Sequence, residues 1–330
     1  MKELPRASEK EMIRMEKGYW LEKLKEILHN WQIYVLFIPL LFFLICWKYM
    51  PIASMVVSFK NYIPDSTFGG GVYSSSFVGL DNFKQLFSQS DFWRAFRNTF
   101  TLSFYSMVFG FPFPILLALF FSEIKCTAYR AVAQVFSYIP KFISIVVMTS
   151  LIAMLLKSSN EYFGAGPLGA IFEAMGKTNL ISDPKAFRSI YVISGIWEAA
   201  GYGSIVYFAA IIGVSPTNYE AARIDGASKM QQIRYITIPA ISSTLVIMLI
   251  LRLGNLLTIG YETVYLLQEA GTTGATYETS EIISTYVIHS FMNSNQGVGA
   301  AADMFNSILS MALVLGSNTI ARKVSKTSLF

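Results

Sequence analysis

Few residues in this chain are placed to make or break a bond. No G-x-x-x-x-G-K-[ST] run is present, so no phosphate loop marks a site for ATP. His29 and His289 stand far apart without metal-ligand spacing, and neither G-x-S-x-G nor C-x-x-C occurs. Cys46 lies in an apolar run and Cys126 in a short basic loop, which makes neither a disulfide framework nor a thiolate cluster. No catalytic residue and no metal ligand set is expected, and an enzyme is disfavoured. Two other sets of residues have informative types and spacing. One is the polar stretch Ser215-Pro-Thr-Asn-Tyr-Glu-Ala-Ala-Arg-Ile-Asp-Gly-Ala-Ser228, continuing through Ile236-Thr-Ile-Pro239. Ser215 suits an N-cap, Pro216 the first helical position and Gly226 a helix stop. Roughly ten residues give a helix of ~15 Å. A second short helix is expected from about Ala227 to Thr237, ending at Pro239, and small Ala221 and Ala222 let another surface approach closely. The other set is polar within apolar surroundings: Trp197, Glu198 and Tyr202, then Asn255, Tyr261 and Glu262. Such groups usually face protein or water rather than lipid. Asn255 and Glu262, seven apart, are expected on a similar helical face.

The elements that carry these residues follow from composition. Of 330 residues 53% are apolar and only 14% charged, against about 25% charged in ordinary soluble domains, so lipid is the expected surrounding. A disordered chain and a nucleic-acid binder are excluded. The fold class is all-α: six regions near 33–57, 98–121, 132–156, 189–213, 240–266 and 299–321 have the ~20 mostly apolar residues that a transmembrane helix needs. Pro140 predicts a break in the third, and Lys141 beside it is expected to snorkel to the cytoplasmic surface. Before them, Trp20, Leu21, Leu24, Ile27, Leu28 and Trp31 recur at helical spacing, which suggests a helix lying on the bilayer surface. No apolar run precedes Ile33, so a cleaved signal peptide is not expected. Lys and Arg number fifteen in the non-spanning segments on the side of the termini and eight on the other, none of the latter in 267–298. The positive-inside rule therefore puts both termini and the 214–239 loop in the cytoplasm. Outside, Gly69-Gly70-Gly71, Phe77 to Phe83 and Asp91-Phe92-Trp93 suggest an ordered cap, with Asp81 and Asp91 placed to cap short helices.

Glu220-Ala221-Ala222, Asp225-Gly226-Ala227, Ile236 and Ile238-Pro239 resemble the EAA loop of membrane subunits of ATP-binding-cassette importers, E-A-A-x-x-x-G, nine residues, then I-x-L-P. Ile238 stands where Leu is usual, Ile233 where Phe or Trp is common, and Ser243 where a proline often follows. Tyr49-Met-Pro51, Phe109-Gly-Phe-Pro112, Ser137-Tyr-Ile-Pro140, Ser194-Gly-Ile-Trp197 and Val264-Tyr-Leu-Leu-Gln268 look like the branch of binding-protein-dependent permeases that moves oligosaccharides. The resemblance implies the type I importer permease (MetI-like) fold, with a cytoplasmic segment 1–31, a six-helix domain 32–323 and a tail 324–330.

It also implies the working partners: a second homologous permease subunit, two ABC ATPase subunits holding ATP and Mg, an extracellular sugar-binding lipoprotein, the bilayer and a sugar, with no cofactor bound by this chain. Glu220, Ala221, Ala222, Asp225, Gly226, Ile236 and Pro239 would couple to the ATPase. Trp197, Glu198, Tyr202, Asn255, Tyr261 and Glu262 would contact sugar along the pathway, aromatic faces against rings and carboxylate or amide against hydroxyls. Their structural alternative is that they satisfy one another or hold the partner permease. A non-sugar solute remains an alternative cargo. A self-sufficient secondary transporter is disfavoured because no internal repeat is found.

Overall fold

Lipid offers no partner for backbone N–H and C=O groups, so each apolar region has to satisfy its own by forming helix. A computed structural model describes residues 23, 25, 29–49, 51–52, 55–65, 70–159, 164–254, 256–257, 260–271 and 274–325. The surface helix expected around residues 20–31 falls almost wholly outside them, as does most of the 324–330 tail. Among the described residues four helical stretches are long and apolar enough to cross a membrane: Trp31–Tyr49, Ser90–Glu123, Pro184–Ile212 and Gln296–Thr319. Two bent pairs pass the same test jointly, Thr127–Phe142 with Ile145–Leu156 at 101° and Lys229–Ala240 with Ser242–Gly254 at 66°. Each of the six expected regions thus contains helix, and among the described residues the fold is all-α apart from one two-stranded ribbon.

The chain divides into two units, Met1–Val56 and Val57–Phe330. The first contains α1 (Trp31–Leu44), with Pro39 inside it, followed by a π-helical turn, Ile45–Tyr49. The second opens on the antiparallel ribbon β1 (Lys60–Asn61) and β2 (Ser76–Phe77), in register Lys60 to Phe77. Helix α2 (Asp81–Ser88) follows, and Asn82 Nδ2 fixes it to the ribbon by donating to the carbonyls of Ser58 and Lys60. Asp81 and Asp91 do not act as the caps expected of them. Each lies in a first helical turn and pairs three residues on, with Lys84 and Arg94, where negative charge still favours the helix dipole.

Besides the short turns Ile238–Ala240 and Tyr277–Ser280, the described helices that follow are α3 (Ser90–Gly110), α4 (Pro112–Glu123), α5 (Thr127–Tyr138), α6 (Ile145–Leu156), α7 (Pro167–Ala174), α8 (Pro184–Ile212), α9 (Pro216–Ile224), α10 (Lys229–Gln232), α11 (Ser242–Gly254), α12 (Tyr261–Ala270), α13 (Ile283–Met292) and α14 (Gln296–Ser325). One core joins Leu102, Met148, Ile152, Phe187, Val264 and Ile282, and so ties α3, α6, α8 and α12 together. A second packs Leu86 and Phe92 against Ile283, Tyr286, Val298 and Ala301. A third, around Ala118, Tyr207, Ile211 and Ile241, sits next to the 214–239 loop in sequence. Helices α5 and α8 meet backbone to backbone at Gly201, where a Cβ would stand 1.8 Å from the Ser137 carbonyl oxygen. Small residues allow such approach between membrane helices.

Two spans depart from expectation. The second region starts earlier, at Ser90, and is interrupted at Phe111 before Pro112. The region 240–266 is not one helix: it stops at Gly254, passes through the buried Leu256 and Leu257, and restarts at Tyr261 behind an extended Gly260. Leucine stays apolar in a turn as in a helix, so hydropathy does not reveal this break, whereas the flanking glycines weaken the helix there.

Candidate functional site

The 214–239 loop is built as the sequence proposes, with its stops made by backbone. Helix α9 runs Pro216–Ile224 with no buried residue. Ser215 occupies the N-cap position, although its side chain makes no capping bond. At the other end Gly226 takes φ +76°. Its N–H donates to the Arg223 carbonyl at 3.1 Å and that of Ala227 to Ala222 at 2.8 Å, the paired bonds of a Schellman stop. Ser228 and Gln231 then form a capping box that opens α10.

Two side-chain contacts brace this projection internally and a third ties it to α4. The Tyr219 hydroxyl lies 3.0 Å from Thr237 Oγ1, Gln232 Nε2 donates to the Ala227 carbonyl, and Lys229 Nζ stands 2.5 Å from Glu123 Oε2. Glu220, Ala221, Asp225 and Gly226 are exposed, and Ala222 is partly so. Ile224, Met230 and Tyr235 present apolar surface beside them, Ile224 being 86% exposed. The half-buried Ile236 lies in a π-helical turn, Ile233–Thr237, and Pro239 in the turn Ile238–Ala240 that leads to the 66° bend. The described geometry therefore puts five of the seven residues expected to couple on one exposed projection and the other two at its root.

Within the membrane region, Trp197, Glu198 and Tyr202 meet the break in the third span. Lys141 has a partner on α8: its Nζ donates to Glu198 Oε1 at 2.8 Å. The 3-10 turn Ile139–Phe142 swings it toward α8, and a paired charge costs less there than an unpaired one. Phe142 packs edge-on against Tyr202 at 5.9 Å. Trp197 borders two cavities, one of about 530 Å³ with Phe136 and Pro140 and one of about 930 Å³ with Lys177, Asp183 and Lys185. Glu198 borders a third, of about 190 Å³, with Tyr191 and Arg252.

Tyr261 and Glu262 do not join this cluster. They start α12 and are exposed, and Tyr261 borders a different cavity. Asn255 lies outside the described residues.

Two polar arrangements carry no local sequence signal. Arg252, on α11, donates Nη2 to the Ser106 carbonyl at 2.8 Å and Nη1 to that of Gly110 at 3.4 Å. Pro114, four residues after Gly110, has no N–H to offer that oxygen, so the guanidinium replaces the missing donor. An arginine deep in one apolar run opposite a proline pair in another was the available hint. Elsewhere Arg94 Nη2 lies 2.5 Å from Glu281 Oε2, Asn98 Nδ2 donates to the Glu278 and Glu281 carbonyls, and Arg188 Nη2 donates to Asn98 Oδ1. These bonds join α3 to α8, 90 positions on, and to Glu278 and Glu281, 180 or more positions on, beyond reach of any spacing rule.

Residues 110–325, which hold both the exposed loop and the Lys141–Glu198 pair, match the model of the binding-protein-dependent transport system inner membrane component family. The chain belongs to that family. It is accordingly a multi-pass membrane component of a transport system. Protein LplB of Bacillus subtilis (strain 168) is 33% identical over 334 aligned residues that cover 100% of both chains. The polygalacturonan/rhamnogalacturonan transport system permease protein YteP of the same organism is 33% identical over 301 residues, 90% of each. Among solved structures, a chain of a bacterial ABC transporter involved in import of the acidic polysaccharide alginate superposes with a TM-score of 0.80 at 34% identity, covering 92% of this chain and 99% of that one. The same fit, at 35% identity, is found to a bacterial alginate ABC transporter in complex with an alginate pentasaccharide-bound periplasmic protein.

Proposed function

We propose that this chain is a permease subunit of an ATP-driven oligosaccharide importer, forming half of the pathway beside a second permease and driven by two separate ATPase subunits. The observation that carries the reading is the whole-length likeness to the alginate importer chain, 92% of this chain at a TM-score of 0.80. The YteP likeness supports an acidic polysaccharide fragment as cargo. In this reading the termini and α9 face the cytoplasm, as the Lys and Arg distribution favours. Segments 1–31 and 324–330 flank a permease domain 32–323, and a sugar-binding lipoprotein delivers cargo from outside.

Helix α9 is the coupling element. Glu220 and Asp225 offer charge, Ala221 and Ala222 permit close packing, and the Gly226 stop fixes the angle at which the helix meets the ATPase. Ile236 and Pro239 transmit its movement to the bend before α11. Trp197, Glu198 and Tyr202, with Lys141, form the sugar-contact cluster, and Tyr261, Glu262 and Asn255 belong to a second stretch of the pathway. ATP and Mg bind the partner subunits, since no phosphate loop occurs here. The test is ATPase activity of the purified assembly with binding protein loaded in turn with oligogalacturonate, alginate oligomer and maltotriose. Stimulation by at least one supports the reading; stimulation only by a non-sugar solute overturns it.

A further inference from the structure

The last span carries a polar stripe that neither the coupling loop nor the Lys141–Glu198 cluster uses. Asp303, Asn306, Ser307 and Ser310 stand at i, i+3, i+4 and i+7 on α14, and so on one face. The helix is otherwise apolar enough to cross a membrane, and lipid would gain nothing from four polar groups in a row. Together with Tyr261 and Ser284 they line a cavity of about 460 Å³, within the ~300–1,000 Å³ range of small-molecule sites.

The cavity holds unmet hydrogen-bonding capacity. Asn306 is 7% exposed; its Nδ2 donates to the Leu257 carbonyl at 3.4 Å, while its Oδ1 has no partner. Ser310 Oγ is buried without a partner as well. Buried amide and hydroxyl oxygens are seldom left in that state, and both are free to bond a molecule that enters the cavity. Tyr261, 44% exposed, adds an aromatic face. It opens α12, whose first N–H groups have no acceptor inside the helix. Acceptors, hydroxyls, free N–H donors and one aromatic face make a set that suits a ring bearing several hydroxyls. One carboxylate among neutral oxygens is a poor cage for a divalent cation, and a lipid chain leaves Asn306 Oδ1 unmet.

We propose that this cavity is a second sugar-contact site, separate from the Trp197–Tyr202 cluster, that holds one ring of a saccharide in transit. Asp303 and Asn306 accept from ring hydroxyls, the serines bridge, and Tyr261 covers the C–H face. This inference rests on the sugar-importer reading. Its test uses the complete assembly in vesicles, with uptake and ATP hydrolysis measured for tetragalacturonate, an alginate pentasaccharide and maltotriose. For Asp303→Asn and Asn306→Leu the ATP hydrolysed per sugar imported is expected to rise roughly tenfold, the loss of a charged or buried hydrogen bond, while loaded binding protein still stimulates hydrolysis. An unchanged ratio in both variants overturns the site.

A second measurement holds even where a variant fails to assemble. In a Cys46→Ser, Cys126→Ser background, the exposed Ser307→Cys is expected to react with a methanethiosulfonate reagent severalfold more slowly when the imported sugar is present, and Ile308→Cys on another face is not. Equal reaction with and without sugar overturns the site. Failure of the intact assembly to import any of the three sugars removes the sugar reading itself and this site with it. Uptake without an effect of the variants removes the site alone.

Discussion

Gly226 shows how one residue sets the direction of a helix. Its φ of +76° closes the Schellman stop, a conformation that proline, held near −65°, is unable to adopt. Glu220 is exposed and bears on no packing, so reversing its charge costs little stability. Gly226→Pro and Glu220→Lys are both expected to abolish ATP-dependent uptake, with membrane insertion of Glu220→Lys unchanged. Undiminished uptake in both variants removes the coupling role from α9. The Lys141–Glu198 pair makes a different residue-scale prediction. Its ends are 42% and 27% exposed, so losing Lys141 alone is expected to cost about 1–2 kcal/mol, less than for a sealed ion pair. Lys141→Ala with Glu198→Ala together should recover most of that in thermal unfolding in detergent. Additive losses in the double variant show that the two do not interact.

At the scale of elements, contacts between helices decide what a single element cannot. A side chain at Gly201 meets the Ser137 carbonyl, which belongs to a helix backbone and has no room to yield. Gly201→Val is therefore expected to separate α5 from α8 at a cost of about 1–3 kcal/mol, read as a lower melting temperature of the purified protein. An unchanged melting temperature means the two helices do not meet there. The positions of the helices were largely legible beforehand because apolar length and the Pro140 break are local properties. So were the loop's stops, since proline, glycine and serine act on their own backbone. The break between Gly254 and Tyr261 was not legible, because its leucines read as membrane whether helical or not. The Lys141–Glu198 pair was not legible for a related reason: the two are 57 residues apart, with the 101° bend between them. The same holds for Arg252 and the Arg94–Glu281 network, whose acceptors lie far off in the sequence.

For the whole molecule, the decisive property is that a transport-system membrane component carries a helix with no buried side chain outside its packed cores. The described residues place Ile224, 86% exposed, on a helix with no buried side chain, and apolar surface held in water on a rigid projection marks a surface for another protein. Lys229 ties this projection to α4 through Glu123, and the chain runs from it directly into the Ile233–Ala240 segment and the bend before α11. Ile224→Asp puts a charge where a partner groove would close. It is expected to abolish co-purification of the ATPase subunit while the permease remains monodisperse, because nothing in its own fold depends on Ile224. The isolated chain reconstituted in vesicles is expected to accumulate no oligosaccharide, with or without external ATP, since the proposed reading assigns the driving step to separate ATPase subunits. Uphill accumulation by the lone polypeptide contradicts this, and would require the polar groups along α8, α12 and α14 to carry a coupling ion instead of a sugar.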